Sequence, residues 1–301
     1  MNVTPSKLTL GPILFHWQPN VWRDFYFRIA DEADIDTVHV GEVVCSKRAP
    51  FYDKLIPEVT ERLSGAGKEV VLSSQALIMS ANEQKTARDL ATFEGALIEA
   101  NDMTLASLLA GRDFAVGPFV NVYNEGTLSV LEGMGAVRIC LPVELPQERL
   151  NELASRARAD LEVQVFGRLP LAISARCYAA RAHNLSKDGC LYVCGENSDG
   201  MVVDTLNDKS LLAVNGTQTL SFCMLNLLAE LSHLQKIGIN RFRLSPHKVD
   251  MVAVARTFRE VMTGVLDSGV ATARLQELCP DSEFANGYFH GKPGYALVET
   301  D

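Results

Sequence analysis

The sequence predicts an α/β fold, a TIM-like (β/α)8 barrel, on three observations. Eight short β-rich runs recur along the chain. Amphipathic helical stretches separate them. One long Gly-, Asn- and Asp-rich excursion at 168–222, between the seventh and eighth runs, breaks the rhythm once. Residues 1–301 then form a single barrel-like domain, since no repeat, low-complexity tract or Pro/Gly linker marks a boundary. A doubly wound open sheet is the competing arrangement.

Leu8–Leu14, Thr37–Val43 and Glu69–Gln75 read as the first three strands. Helices are expected at Trp22–Ala33 and Asp53–Leu63, the second ended by Gly65 and Gly67. Ala96–Ala100 is the fourth strand, and Asp102 is placed to N-cap a helix over Met103–Ala110. Phe114–Val120 and Val137–Leu141 follow as strands around a helical Gly126–Glu132. Pro146–Arg158 is a helix and Leu161–Phe166 the seventh strand. Within the excursion, Met201–Asp204 and Leu211–Val214 are strand-like. The chain resumes with a helix at Met224–Lys236, a strand at Arg241–Leu244 and a helix at Val249–Thr263, and Cys279–Asp301 reads as loop.

A net charge of −9 argues against wrapping nucleic acid, because neutralising phosphates needs a basic face. Met1–Ser6 has no basic start leading into an apolar run, and no stretch approaches the roughly 18–20 apolar residues of a membrane span. The expected location is cytoplasmic. In a reducing cytosol, seven cysteines call for packing, a reactive thiol or a metal rather than disulfides.

Cys177, Cys190 and Cys194 fall inside the excursion, with twelve and then three residues between them. Cys45 follows the second strand. Barrel strands deliver their loops to one face, so four thiolates from two remote segments can converge. Zinc favours Cys-x-x-Cys knuckles, which are lacking here, and the uneven spacing suits a bulkier iron–sulfur cube at least as well. Scattered buried thiols are the alternative. Lys47, Arg48, Arg176, Arg181, His183 and Lys187 flank the set. They would favour a dianionic cluster, or simply decorate a solvated loop.

The remaining thiols read otherwise. Cys140 belongs to an apolar strand, Cys223 opens the expected helix at Met224, and Cys279 is a loop thiol, the one plausible substitute ligand.

The segments VHVGEVVCSKR, NVYNEGTLSVLEGMGAVRICLPVEL, EVQVFGRLPLAISARCYAARAHNLSKDGCLYVC and ANGYFHGKPG resemble the collagenase-like peptidase U family over nearly the whole chain. The likeness is strongest to its branch serving oxygen-independent ubiquinone biosynthesis. That resemblance implies a [4Fe–4S] cluster on Cys45, Cys177, Cys190 and Cys194. Many relatives carry Ser-Gly-x-Cys at the third of these segments, whereas this chain has Ser174-Ala175-Arg176-Cys177, a departure that fits the same branch.

It further implies hydroxylation of the aromatic ring of a prenylated ubiquinone precursor, in a heterodimer with a UbiU-like protein and in contact with a lipid-carrier protein of the pathway. Prephenate, the hydroxyl source suggested by relatives that hydroxylate RNA bases, carries over only as a guess. RNA-base hydroxylation and a non-catalytic, electron-relaying partner are the alternatives. No Ser/His/Asp set or zinc-binding His–Glu pair supports proteolysis.

Catalytic residues stay unassigned. Glu42, Asn101, Asn121, Glu144, Arg168 and His247 should face the loop end of the barrel. Glu42 reads as a salt-bridge partner for a loop cation and Asn101 as a turn or capping residue beside Asp102. Asn121 and Glu144 read as loop ties. Arg168 would pair with the cluster, a substrate carboxylate or a surface acid. His247 decorates the first turn of a helix begun by Ser245 and Pro246.

Overall fold

The computed structural model describes residues 5–299. The reading of Met1–Ser6 falls largely outside them, as do the last two residues of the C-terminal stretch. The strands are β1 (Lys7–Leu10), β2 (Thr37–Val40), β3 (Glu69–Ser73), β4 (Leu97–Ala100), β5 (Phe114–Val116), β6 (Ala136–Cys140), β7 (Asp160–Ile173), β8 (Met201–Asp204), β9 (Ser210–Asn215), β10 (Gln218–Asn226), β11 (Arg241–Leu244) and β12 (Phe284–Ala285). β1 through β7 pair in sequence order, all parallel, and β11 pairs parallel with both β7 and β1. The eight strands close into a (β/α)8 barrel, which disposes of the open-sheet alternative.

Alternation along the strands sorts the side chains. Leu8 and Leu10, Val38 and Val40, Ile98 and Ala100, and Phe242 and Leu244 join the apolar core under the helices. Thr9, His39, Glu99, Glu162 and Arg243 are also buried, and contacts among the last four cross from one side of the barrel to the other. The lumen is therefore ionic, not filled with aliphatic layers.

β7 is longer than its apolar run predicts. Gly167, at φ +102°, takes the strand out of the barrel, and it continues to Ile173 in antiparallel pairing with β10. Pro170 has no amide N–H to give the ladder, and the register shifts around its partner Leu220 absorb the irregularity. β10, β9 and β8 extend this ribbon antiparallel, carrying the cysteine-rich excursion.

Three expectations fail. Met224–Asn226 is strand, because pairing with β7 and β12 outweighs an apolar run that would suit either state; the helix is confined to Leu231–Lys236. The residues after Leu244 do not start a helix at Ser245. The helix is Met251–Met262, capped by Asp250, whose carboxylate accepts the Ala253 amide at 3.2 Å. The tail from Cys279 contains the short strand β12.

Two of the longer helices lay unread. Ser268–Leu278 is capped by Asp267, and Ala81–Ala91 by a full capping box in which Ser80 accepts from the Glu83 amide and Glu83 from the Ser80 amide. Asp102 does cap its helix, accepting the Thr104 amide at 2.7 Å. Replacing Ser80 by Ala removes one arm of the box, and denaturant unfolding should show a loss of about 1 kcal/mol. An unchanged midpoint would show that packing alone holds this helix.

Candidate functional site

All four cysteines singled out in the sequence line one cavity at the loop end of the barrel, together with Lys47, Arg48, Lys187, Tyr192 and Gly216. Cys45 arrives on the turn after β2. The buried Glu42 carboxylate accepts the Val44 and Cys45 amides, both at 2.9 Å, and so fixes the direction of that turn. Glu42 is thus a turn cap that feels Arg48 through space, not a salt-bridge partner for a loop cation.

Cys177 precedes the short helix Tyr178–Ala182, and its sulfur accepts the Ala180 amide at 3.4 Å. Cys190 and Cys194 flank Leu191 and Tyr192, which both adopt left-handed backbone (φ 49° and 56°). Two consecutive non-glycine residues in that region are costly, so the surrounding contacts must hold this loop in its curve. The two-residue tip between β9 and β10 closes the cavity from below. Its Gly216 carbonyl accepts the Tyr178 amide at 2.9 Å, and the Thr217 hydroxyl donates to the Val44 carbonyl at 2.9 Å.

Burial pushes the Cys45 and Cys194 thiols up, and Arg48 pulls both back. Arg48 itself is 1% exposed, donates to the Leu14 carbonyl (2.9 Å) and to Asn215 Oδ1 (2.8 Å), and has an Nε with no partner among the described residues. Four sulfurs around one cavity, with a buried guanidinium short of one acceptor, form a donor set suited to a soft, anionic metal centre. No three of the four sulfurs lie within 4.8 Å of one another. Thiolates on a single zinc, each about 2.3 Å from it, stand about 3.8 Å apart, so no three of these sulfurs are as close as a bound zinc would hold them.

Of the flanking cations, Lys47 and Lys187 border the cavity. Arg176, Arg181 and His183 are exposed, and His183 Nδ1 lies 2.8 Å from the Ala179 carbonyl.

The other three cysteines are elsewhere. Cys140 is buried beside Glu162 and Arg243. Cys223 lies on β10, not at a helix start, with its sulfur 3.7 Å from Glu283 Oε2. Cys279 is 1% exposed at the end of the helix Ser268–Leu278, so it is no loop thiol available to the cavity.

A second hollow opens at the barrel mouth, floored by Glu99, Asn101, Gln164, Arg243 and Ser245 and walled by Pro12, Leu14, Pro118, Phe119 and Pro170. Leu14 joins the two sites. Its side chain lines the mouth, while its carbonyl takes hydrogen bonds from Arg48 and from Asn215 Nδ2 (2.7 Å) beneath the cysteines.

Asn101 belongs to the mouth and is not a capping residue. Its Nδ2 donates to the Ser74 carbonyl (3.1 Å) and to Glu99 (3.2 Å), and its buried Oδ1 has no partner. Asn121, at φ 61°, and Glu144, 3.4 Å from the Tyr123 hydroxyl, line an outer groove that shares Pro118, Phe119 and Pro170 with the mouth.

Arg168 does not line the four-cysteine cavity and, among the described residues, pairs with no acid. Its guanidinium donates to the Ser221 and Phe222 carbonyls and lies 5.5 Å from the Phe222 ring centre. His247 is buried, accepts the Arg168 amide on Nε2 at 3.0 Å, and turns Nδ1 toward Asp199 at 3.5 Å. It ties β7 to the loop after Cys194 and does not decorate a helix start.

Sequence reading missed the lumen charges beneath the mouth. Their signal is the single polar residue inside each apolar strand core, as in Val38-His39-Val40, Ile98-Glu99-Ala100 and Phe242-Arg243-Leu244.

Among solved structures, the chain is similar to the tryptophan synthase complex of Pyrococcus furiosus at 13% identity, covering 92% of this chain and 100% of that one, with a TM-score of 0.44. It is also similar to phospho-2-dehydro-3-deoxyheptonate aldolase of Thermotoga maritima at 9% identity, covering 94% and 71%, with a TM-score of 0.44. The family model for Peptidase family U32 matches residues 25–299, which is most of the sequence, and the chain belongs to that family.

Proposed function

We propose that this U32 chain is the UbiV-type iron–sulfur subunit of an oxygen-independent hydroxylase, acting on the aromatic ring of prenylated ubiquinone precursors. The observation that carries the reading is the convergence of Cys45, Cys177, Cys190 and Cys194 on one cavity at the loop end of the barrel. The four cysteines would hold a [4Fe–4S] cluster, which when bound supplies single-electron transfer.

The chain's own residues do the positioning. Glu42 and the Gly216–Thr217 tip fix the ligand loops, and Arg48 provides charge balance under the sulfurs. The barrel mouth sets an apolar wall of Leu14, Phe119 and three prolines over a polar floor, and its cavity of about 20 Å³ would have to open to admit an aromatic ring. Resemblance supplies the partners: a UbiU-like subunit and a lipid-carrier protein of the same pathway. Four protein ligands leave no iron open to substrate, which favours electron transfer over Lewis-acid chemistry for this subunit. No helix among the described residues is long and apolar enough to cross a membrane, so a lipid-tailed substrate would reach the mouth from a carrier or from a membrane surface. Nothing in the site resembles a peptidase triad.

Anaerobically purified chain should be brown, with about four irons and four sulfides per chain. Zinc without sulfide after anaerobic reconstitution would overturn the cluster. Quinone profiling of a deletion strain grown without oxygen tests the pathway: ubiquinone should fall in the deletion and return with the wild-type gene. Normal ubiquinone in the deletion would sink the assignment.

A further inference from the structure

We infer that Arg48 is the fixed cation of the four-cysteine site, placed to donate a hydrogen bond to the sulfur centre held there and to set its reduction potential. The inference rests on the cluster reading above. It starts from a buried charge without a bonded counter-charge. Both hydrogen bonds of Arg48 go to neutral acceptors, the Leu14 carbonyl and Asn215 Oδ1, and the nearest carboxylate, Glu42, spends Oε1 on two backbone amides. Burying a guanidinium in that state is unfavourable unless an anion completes it. Arg48 lines the small cavity of the four sulfurs, and its Nε has no partner among the described residues.

The surroundings hold that guanidinium where it is. Asn215 is itself fixed by the Leu14 carbonyl (2.7 Å) and Gln218 Oε1 (3.2 Å). Gly216 turns at φ +66°, and a Cβ there would stand 2.6 Å from Arg48 Nη2, so the guanidinium packs directly onto a tip that must be glycine.

Neighbouring groups cannot replace it. His16 is kept neutral by burial and by Arg48, its pKa lowered to about 4. Lys47 is drawn off to the Lys187 carbonyl (2.8 Å) and Asp188 (3.1 Å), and Lys187 to the Ala175 carbonyl (3.1 Å).

A cube with four thiolates passes from a dianion to a trianion on one-electron reduction. A cation buried against it stabilises the reduced state more than the oxidised one, because the interaction grows with the charge and is little screened. The test is a dithionite titration followed by electron paramagnetic resonance on anaerobically purified full-length chain, with iron release to a chelator measured alongside. Arg48→Gln should lower the midpoint potential and release iron several-fold faster. Arg48→Lys keeps the charge but not the three-way fork and should fall between Arg48→Gln and wild type. Gly216→Ala displaces the guanidinium without removing it and should also lower the potential.

Wild-type midpoint and release rate in Arg48→Gln would overturn the inference and leave the cluster reading standing. If that variant does not fold, wild-type potentials in both Arg48→Lys and Gly216→Ala would overturn it instead. A wild-type chain that takes up no iron and sulfide overturns both.

Discussion

Alanine at Cys45, Cys177, Cys190 or Cys194 is expected to strip the centre from anaerobically purified protein, while alanine at Cys140, Cys223 or Cys279 leaves iron and sulfide at the wild-type level. The first four sulfurs border one cavity, and each arrives on a separately fixed piece of chain: the Glu42-capped turn, the start of the Tyr178 helix, and the two ends of the Leu191–Tyr192 loop. Losing one leaves three thiolates and an open iron that solvent and chelators attack. A second thiol cannot move in, because Cys140, Cys223 and Cys279 are buried in other contacts. Iron and sulfide assays on the seven single variants decide the matter. Retention in the Cys45 variant with loss in the Cys279 variant would reverse the choice of fourth ligand. Uniform retention in all seven would remove the cluster from this cavity.

That cavity was legible in the sequence to the extent that it depends on topology. A cysteine just past β2 and three in the excursion after β7 must emerge on the same face once the barrel closes. Less legible was anything set by pairing partners. Gly167 and Pro170 look like the end of a strand, yet β7 runs on to Ile173 because β10 is there to receive it. Met224 to Leu231 is apolar except for Asn226 and Glu230 and would suit a helix or a strand, so only the ladder to β7 and β12 decides that its first residues are extended. The helix Ala81–Ala91 was announced by Ser80 and Glu83 in capping-box spacing, a local signal that needs no partner, and it could have been read.

Polar residues misled for a related reason. Asn101 and His247 sit beside turn-forming and capping residues in the sequence, which suggests surface roles, but closure of the barrel buries both. Their distant neighbours in space, Ser74 for one and Arg168 and Asp199 for the other, are visible only once strands far apart in sequence are side by side.

The lumen makes the largest stability claim. Arg243 sits between Glu99 and Glu162, 2.5 Å from each, with His39 Nε2 3.3 Å away and Ser73 donating to Glu99 at 2.7 Å. Burial alone pushes the Glu99 and Glu162 carboxyls up, but Arg243 first and His39 second pull harder, and both end below the usual range. Arg243→Met removes the cation and leaves two buried carboxylates facing each other, a loss of about 3–5 kcal/mol for breaking a buried ionic network by one partner.

The pH dependence identifies the cause. Both carboxyls are depressed in the folded wild type, so their contribution is present above the unfolded glutamate value of about 4.3 and fades as pH falls through the folded values. In the variant, burial without the cation raises them instead, and the folded state must take up protons. That costs more as pH rises. The stability gap between wild type and variant should therefore be widest near neutral pH and narrow towards about pH 4, measured by denaturant unfolding across that range. A gap that stays constant with pH would mean that Arg243 acts through packing alone. A gap below about 1 kcal/mol at neutral pH would mean that the network adds little beyond an ordinary surface ion pair.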